Sequence, residues 1–205
     1  MTGKSTLLRK LSYTLYLDLL DLQLELLYRE NPKVFWEEMA ALRPGSKIII
    51  DEIQKIPDLL NYVQMAMDQL GHQFILSGSS ARKLKRGGAN LLGGRALDLK
   101  LHPLSFEEIG KVLDLESVLS YGSLPKIYSL VVKKDWEMVK AYLRTYVSTY
   151  LKEEIQMEAL TRNLGAFQRF FSVAAQSNGQ VIEFANISRE CSVPMTTVKE
   201  YFSIL

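Results

Sequence analysis

Residues 47–52 read Lys47-Ile48-Ile49-Ile50-Asp51-Glu52, an apolar run closed by two acids. A run of β-branched residues without polar alternation predicts a strand covered on both faces, as in a parallel sheet. The two carboxylates then fall at the C-terminal edge of that sheet, where α/β folds bind ligands. Downstream, Pro57-Asp58 opens a helix in which Leu59, Leu60, Val63, Met67 and Leu70 recur at helical spacing, and Gly71 ends it. Gln73 to Gly78 reads as a second buried strand, and the alternating Ala96 to Leu101 as a further one, stopped by Pro103. Upstream, Pro44-Gly45 ends a helix that Asn31 caps and Pro32 begins, with Val34, Phe35, Met39 and Leu42 as its apolar positions. Thr14 to Leu19 reads as another strand, preceded by a short helical pattern from Leu7 to Leu11. Strand and helix thus alternate to about Phe106, which predicts an α/β domain with a parallel sheet.

From Ser105 onward the strand signals stop. Glu107 to Leu115, Trp136 to Glu158 and Leu164 to Ser177 carry helical periodicity. Along the second of these, Trp136, Tyr142, Tyr146 and Tyr150 form a stripe that reads as core or interface. The turn-rich Tyr121-Gly122-Ser123-Leu124-Pro125 marks a boundary, so the expected domains are 1–122, a helical region at 123–178, and 179–205. The last stretch reads as a helix-turn-helix. Phe184 to Cys191 is its first helix, Ser192-Val193 the turn, and Pro194 opens the second helix, with Met195, Val198, Tyr201, Phe202 and Leu205 on the apolar side. Cys191 is then a small buried residue.

Composition narrows the function. The 205 residues are 47% hydrophobic and 23% charged, as in a folded globular chain, and the formal net charge of +2 singles out no partner. One cysteine and two histidines exclude a disulfide framework and a Cys-rich zinc site, and argue against His-based metal sites and triads. No apolar run approaches the ~18 residues needed to span a bilayer, and the N-terminus carries no signal pattern. The chain reads as cytoplasmic, with no membrane partner.

The chemistry sits at three places. Gly3-Lys4-Ser5 has the form of the last part of a phosphate-binding loop, G-x-x-x-x-G-K-[ST], and stands before a Leu-rich helix. Glycine lets backbone N–H groups approach phosphate, lysine reaches the β/γ-phosphates, and serine ligates Mg²⁺. Alone, the tripeptide also fits a surface turn. With the loop present, Asp51 would hold Mg²⁺ through water and Glu52 would polarise the attacking water. In Phe74 to Ser80, Ser79 and Ser80 are candidates to orient water or sense the γ-phosphate; a plain Ser/Gly turn fits the same residues. Arg82, Lys83, Lys85 and Arg86 follow, with Arg95 after Gly93-Gly94. This basic stretch suits phosphate, a neighbouring subunit's nucleotide or nucleic acid, and equally a solvated loop. Arg95 has the reach and flat geometry to meet a γ-phosphate.

Taken together, these residues resemble the prokaryotic AAA-like P-loop ATPases that carry a winged helix and a nuclease-like C-terminal domain. The matching stretches are Gly3 to Leu8, Tyr16-Leu17-Asp18, Ile49 to Pro57, Leu76 to Arg82, Leu91 to Ala96, Pro103 to Glu108, Tyr121 to Pro125 and Tyr146 to Glu154. Asp-Glu-Ile-Gln-Lys-Ile-Pro and Gly-Ser-Ser-Ala-Arg are specific strings; Gly-Lys-Ser is not. The resemblance implies binding of ATP and ADP with Mg²⁺, and hydrolysis. Thr2, Gly3, Lys4, Ser5 and Thr6 would meet the nucleotide, Ser5 and Asp51 the metal, and Glu52 would be the water-activating base, with Ser79 and Arg95 assisting. The family's pattern departs at the start, where Met1 stands in place of a strand and the loop's first glycine. From Lys4 to Tyr13 there are ten residues, against the ~10–12 that a crossover with its helix requires. The chain therefore reads as a fragment, a shortened gene or one with a misassigned start, with an N-terminally truncated ATPase domain and an incomplete winged helix.

Two functions follow. The first is a Mg²⁺-dependent ATPase in which nucleotide state alters loops near Ser79 and Arg95. The second is a non-catalytic module with a degraded nucleotide site that binds DNA or protein through its C-terminal helices, where Thr196, Thr197 and Lys199 would face the major groove. Only Arg189 and Lys199 are basic there, against Glu183, Glu190 and Glu200. Self-association is a further expected partner mode.

Overall fold

The computed structural model describes residues 2–78, 95–150 and 163–204. The chain forms two compact units, Met1–Val132 and Lys133–Leu205.

In the first unit the elements run α1 (Lys4–Leu8), β1 (Leu15–Asp18), α2 (Leu22–Glu30), α3 (Pro32–Ala41), β2 (Lys47–Asp51), a 3-10 turn (Ile53–Lys55), α4 (Leu59–Leu70), β3 (Gln73–Leu76), α5 (Phe106–Ile109), α6 (Leu115–Tyr121) and α7 (Pro125–Val132). The three strands form a parallel sheet in the order β1-β2-β3. Ile48, Ile49 and Ile50 are all fully buried, so both faces of the central strand are covered. The register separates the faces. Leu15, Leu17, Ile48, Ile50, Phe74 and Leu76 share one face and pack with Tyr28, Phe35, Met39, Leu59, Leu60, Val63 and Ala66 from α2, α3 and α4. Tyr16, Asp18, Ile49, Asp51 and Ile75 share the other, by the period-two alternation of strands.

Local signals explain most boundaries. Gly71, at φ 65°, closes α4 in the left-handed conformation that glycine adopts without steric penalty. Pro32 opens α3 at its first turn, although the Asn31 side chain makes no capping bond. Asp21 caps α2 by accepting from Gln23 N and Leu24 N. Sequence periodicity misses α2, because Leu22, Leu26 and Leu27 are exposed and only Tyr28 is buried. His72 is a core histidine, its Nε2 lying 2.9 Å from Met39 O.

Two expectations need correction. Residues 96–101 form no strand: they pair with nothing among the described residues, and Leu97 and Leu99 are 89% and 86% exposed. Alternation gives a strand only where a sheet edge receives it. The helix expected over Glu107 to Leu115 is two helices. Gly110 breaks it at φ 61°, ψ −145°; Ser105 and Glu108 form a capping box before α5, and Asp114 caps α6 through Ser117 N.

The second unit contains α8 (Trp136–Thr145) continuing as a π-helical turn (Tyr146–Tyr150), then α9 (Leu164–Gln176), α10 (Phe184–Cys191) and α11 (Met195–Ile204). The helix expected to Glu158 is described only as far as Tyr150. Phe167, Phe170, Ile187, Cys191, Val193, Val198 and Tyr201 form the core of the last three helices. The Phe167 and Tyr201 rings meet edge to face, 4.9 Å between centroids. Between α10 and α11, Ser192 turns at φ 53°, and Ser188 Oγ donates to Val193 O at 2.6 Å. The helix pair thus forms where the sequence places it.

Candidate functional site

The second face of the sheet changes character at its C-terminal edge, from the apolar Ile49 and Ile75 to Asp51, Tyr16 and Ser77. Asp51 is only 1% exposed. A buried carboxylate is tolerated where donors surround it, and here three hydroxyls do. Tyr16 Oη donates to Asp51 Oδ2 at 2.7 Å, Ser77 Oγ donates to Oδ1, and the Ser5 side chain bonds the same carboxylate. Burial alone would raise the Asp51 pKa. The bonds from Ser5, Ser77 and Tyr16, with the Lys4 charge nearby, outweigh it and hold the carboxyl below its ordinary value. Reciprocally, burial and then the bond to Asp51 push the Tyr16 phenol up to about 12.

Helix α1 brings Lys4 and Ser5 to this edge. It contacts the three strands in turn. Arg9 pairs with Asp18 Oδ2 at 3.1 Å, and its guanidinium lies 4.8 Å from the Tyr16 ring centroid, both on β1. Ser5 meets Asp51 at the end of β2. Lys4 Nζ donates to Gly78 O, 2.5 Å away, just beyond β3. Leu8 is the buried apolar anchor. Gly3 precedes α1 at φ 90°, and no side chain caps the helix. The first N–H groups of an α-helix have no intrahelical acceptor.

Glu52 follows Asp51 in the left-handed conformation, at φ 62° and ψ 41°. Such a φ costs energy for a residue with a side chain and concentrates at functional sites. It turns the chain off the strand, so that Ile53 N donates to Ser77 O at 3.0 Å while Ser77 N donates to Ile50 O at 2.9 Å. The Glu52 carboxylate accepts from Gln54 Nε2.

Of the residues singled out in the sequence, Lys4, Ser5 and Asp51 come together, with Glu52 adjoining. Thr2 and Gly3 lead directly into α1; Thr6 is exposed on it. Arg95 is elsewhere. Its guanidinium pairs with Asp68 at 2.6 and 2.7 Å, in the last part of α4. That helix runs back from the C-terminal edge to the start of β3, so the pair lies toward the opposite end of the sheet. Ser79 and the basic residues 82–86 lie outside the described residues. Sequence reading missed Tyr16, Arg9 and Gln54. The signal for Tyr16 is its spacing of two before Asp18, which places both on one face, but the register that brings that face to Asp51 is not legible in either strand alone.

A family model described as an AAA domain matches residues 1–110. The chain belongs to this AAA domain family. A second model, for a domain of unknown function, matches residues 112–205. Uncharacterized proteins of Mycobacterium bovis and Mycobacterium tuberculosis are each 25% identical over 172 residues, covering 82% of this chain and 38% of the relative. An uncharacterized protein of Haemophilus influenzae is 25% identical over 185 residues, covering 82% of this chain and 45% of the relative. The chain thus spans less than half the length of these curated relatives. No solved structure matches. Neither the models nor the relatives describe a winged helix, a nuclease-like domain or DNA. An AAA domain at residues 1–110 points to an ATPase-like nucleotide-binding module and implies use of a nucleotide with Mg²⁺.

The residues fit that metal. Ser5 and Asp51 supply hard oxygen donors, and Mg²⁺ is held by one or two such groups with phosphate oxygens and water completing its shell. Among the described residues no cluster of three His, Cys, Asp or Glu could hold an ion alone. No helix among them is long and apolar enough to cross a membrane.

Proposed function

We propose that the first unit binds ATP with Mg²⁺ at Lys4, Ser5 and Asp51 and hydrolyses it to ADP and phosphate, with Glu52 as general base. The supporting observation is the convergence of Lys4, Ser5 and the buried, ionised Asp51 at one sheet edge. Lys4 would exchange Gly78 O for the β- and γ-phosphate oxygens, which are stronger partners for an ammonium. The N–H groups opening α1, from Thr2-Gly3 to Thr6, would face the same phosphates. Asp51 accepts three hydroxyl donors on about four lone-pair sites, which leaves it suited to a metal-bound water. The metal would neutralise charge on the phosphate oxygens. Glu52 takes a proton from water as its oxygen bonds the γ-phosphorus and the bond to the β–γ bridging oxygen breaks, releasing ADP. Ser79 is assigned the orientation of that water. Arg95 would have to leave Asp68 to reach a phosphate. This chemistry is assigned to residues 1–122 in the proposed division, which 123–178 and 179–205 follow.

A fluorescent ATP analogue with Mg²⁺ tests the reading. The chain is expected to retain it and to release phosphate from ATP. Lys4→Ala should abolish retention, while Glu52→Gln should spare retention and stop release. No retention by the unmodified chain would overturn the proposal in favour of a binding module with a degraded site.

A further inference from the structure

Gln54 belongs to neither the phosphate-binding nor the metal-binding group, yet it is almost fully buried beside both. It lies in the 3-10 turn after Glu52, 7% exposed, between the buried Ile53 and Ile56. Its amide bonds Glu52 at one end and faces Gly78 at the other. Nε2 donates to Glu52 Oε2. The Oε1 end lies against Gly78: a Cβ built there would stand 2.5 Å from Oε1 and 3.4 Å from Cδ. Gly78 lies outside the left-handed region, so its backbone does not demand glycine. Among the described residues, what a side chain at Gly78 would meet is the Gln54 amide, which would have to shift. The carbonyl of the same Gly78 accepts from Lys4 Nζ at 2.5 Å. One amide therefore joins the acid after β2 to the residue after β3 that the lysine holds.

We propose that Gln54 is a positioning residue for Glu52. Its N–H occupies one carboxylate oxygen and leaves the other for the proton of the attacking water, and the Gly78 contact fixes the direction in which the carboxylate is held. A general base works only within hydrogen-bond reach of its proton, so an unheld Glu52 loses much of its effect while the phosphate contacts stay intact. The inference rests on the reading of Glu52 as the base.

Two variants reach the amide by different routes. Gln54→Met keeps length and removes the donor. Gly78→Ala leaves Gln54 in place and displaces its amide. Both should retain the fluorescent nucleotide within about twofold of the unmodified chain, with KM held and kcat lowered about 10-fold or more. Melting temperature supplies a readout independent of turnover: Gly78→Ala should lower it, and combination with Gln54→Ala should restore much of the loss by clearing the collision. Full kcat in Gln54→Met, while Glu52→Gln is inactive, overturns the proposal. So does a parallel fall in nucleotide retention and phosphate release, which marks a structural role. Absence of phosphate release from the unmodified chain instead refutes the reading of Glu52, and the positioning role falls with it.

Discussion

Tyr16→Phe isolates one bond of the site. It removes the hydroxyl that donates to Asp51 Oδ2 at 2.7 Å and keeps the ring over which Arg9 lies. A hydrogen bond to a charged group contributes about 1.5–3 kcal/mol. Asp51 is 1% exposed, so water does not readily replace the lost donor, but Tyr16 itself is half-buried and Ser5 and Ser77 still serve the carboxylate. The lower half of the range applies, about 1.5–2 kcal/mol. Because the chain has two units, the transition needs a probe in the first. Trp36 packs against the sheet core, and Trp136 is in the second unit. Urea unfolding followed by fluorescence in a Trp136→Phe background reads the first unit alone. The pH dependence carries the sign. The Asp51 pKa is lowered in the folded state, so its stabilising contribution is complete above the unfolded value and fades as pH falls through the folded one. The stability gap between the chain with Tyr16 and the Tyr16→Phe variant should therefore be present near neutrality and close in strong acid. A gap of less than about 0.3 kcal/mol at neutral pH, against a bond of ordinary strength, or one unchanged in acid, would refute the account of Asp51 as an ionised, hydroxyl-held group.

Two further outcomes concern the surrounding scaffold. Glu25 pairs with Lys55 at 2.8 Å and Arg29 at 2.7 Å, and bonds from these cations lower its pKa from 4.5. Its contribution is present above the unfolded pKa and lost as pH falls through the folded one, so the urea midpoints of wild type and Glu25→Gln should differ at about pH 7 and converge toward about pH 3. Gly71→Ala meets nothing within 4 Å, so its cost is the left-handed backbone alone. Thermal and urea unfolding should show a loss of about 1–2 kcal/mol, without loss of nucleotide retention.

The sequence makes the central strand legible because burial on both faces leaves Ile48-Ile49-Ile50 no polar alternation. It makes α4 legible because one apolar stripe ends in a glycine. It hides α2, whose leucines point both into and away from the core, and it suggests a strand at residues 96–101, because alternation records a local pattern and not the presence of a partner. The acids of β2 are equally visible as a pair, but their different fates are not. Asp51 is turned inward among hydroxyls, while Glu52 leaves the strand at a positive φ. That difference arises from the register of β1 and β3 against β2, which sets Tyr16 and Ser77 beside Asp51, and register is a property of paired strands.

This placement also bears on why Asp51 is retained in a sheet otherwise built of aliphatic residues. Burying a carboxylate costs more than its hydrogen bonds commonly return, and an apolar residue of similar volume is often as stable or more so. Three hydroxyls and a nearby ammonium are arranged to keep Asp51 charged where a packed side chain would serve the core equally well. The same edge holds a non-glycine residue in a left-handed turn at Glu52 and an ammonium on a backbone carbonyl at Lys4. These departures from the most stable choice share one end of the sheet, whereas the opposite face of the same strands is uniformly apolar. A requirement of packing alone would not concentrate them there; the proposed site for a phosphate and its metal would.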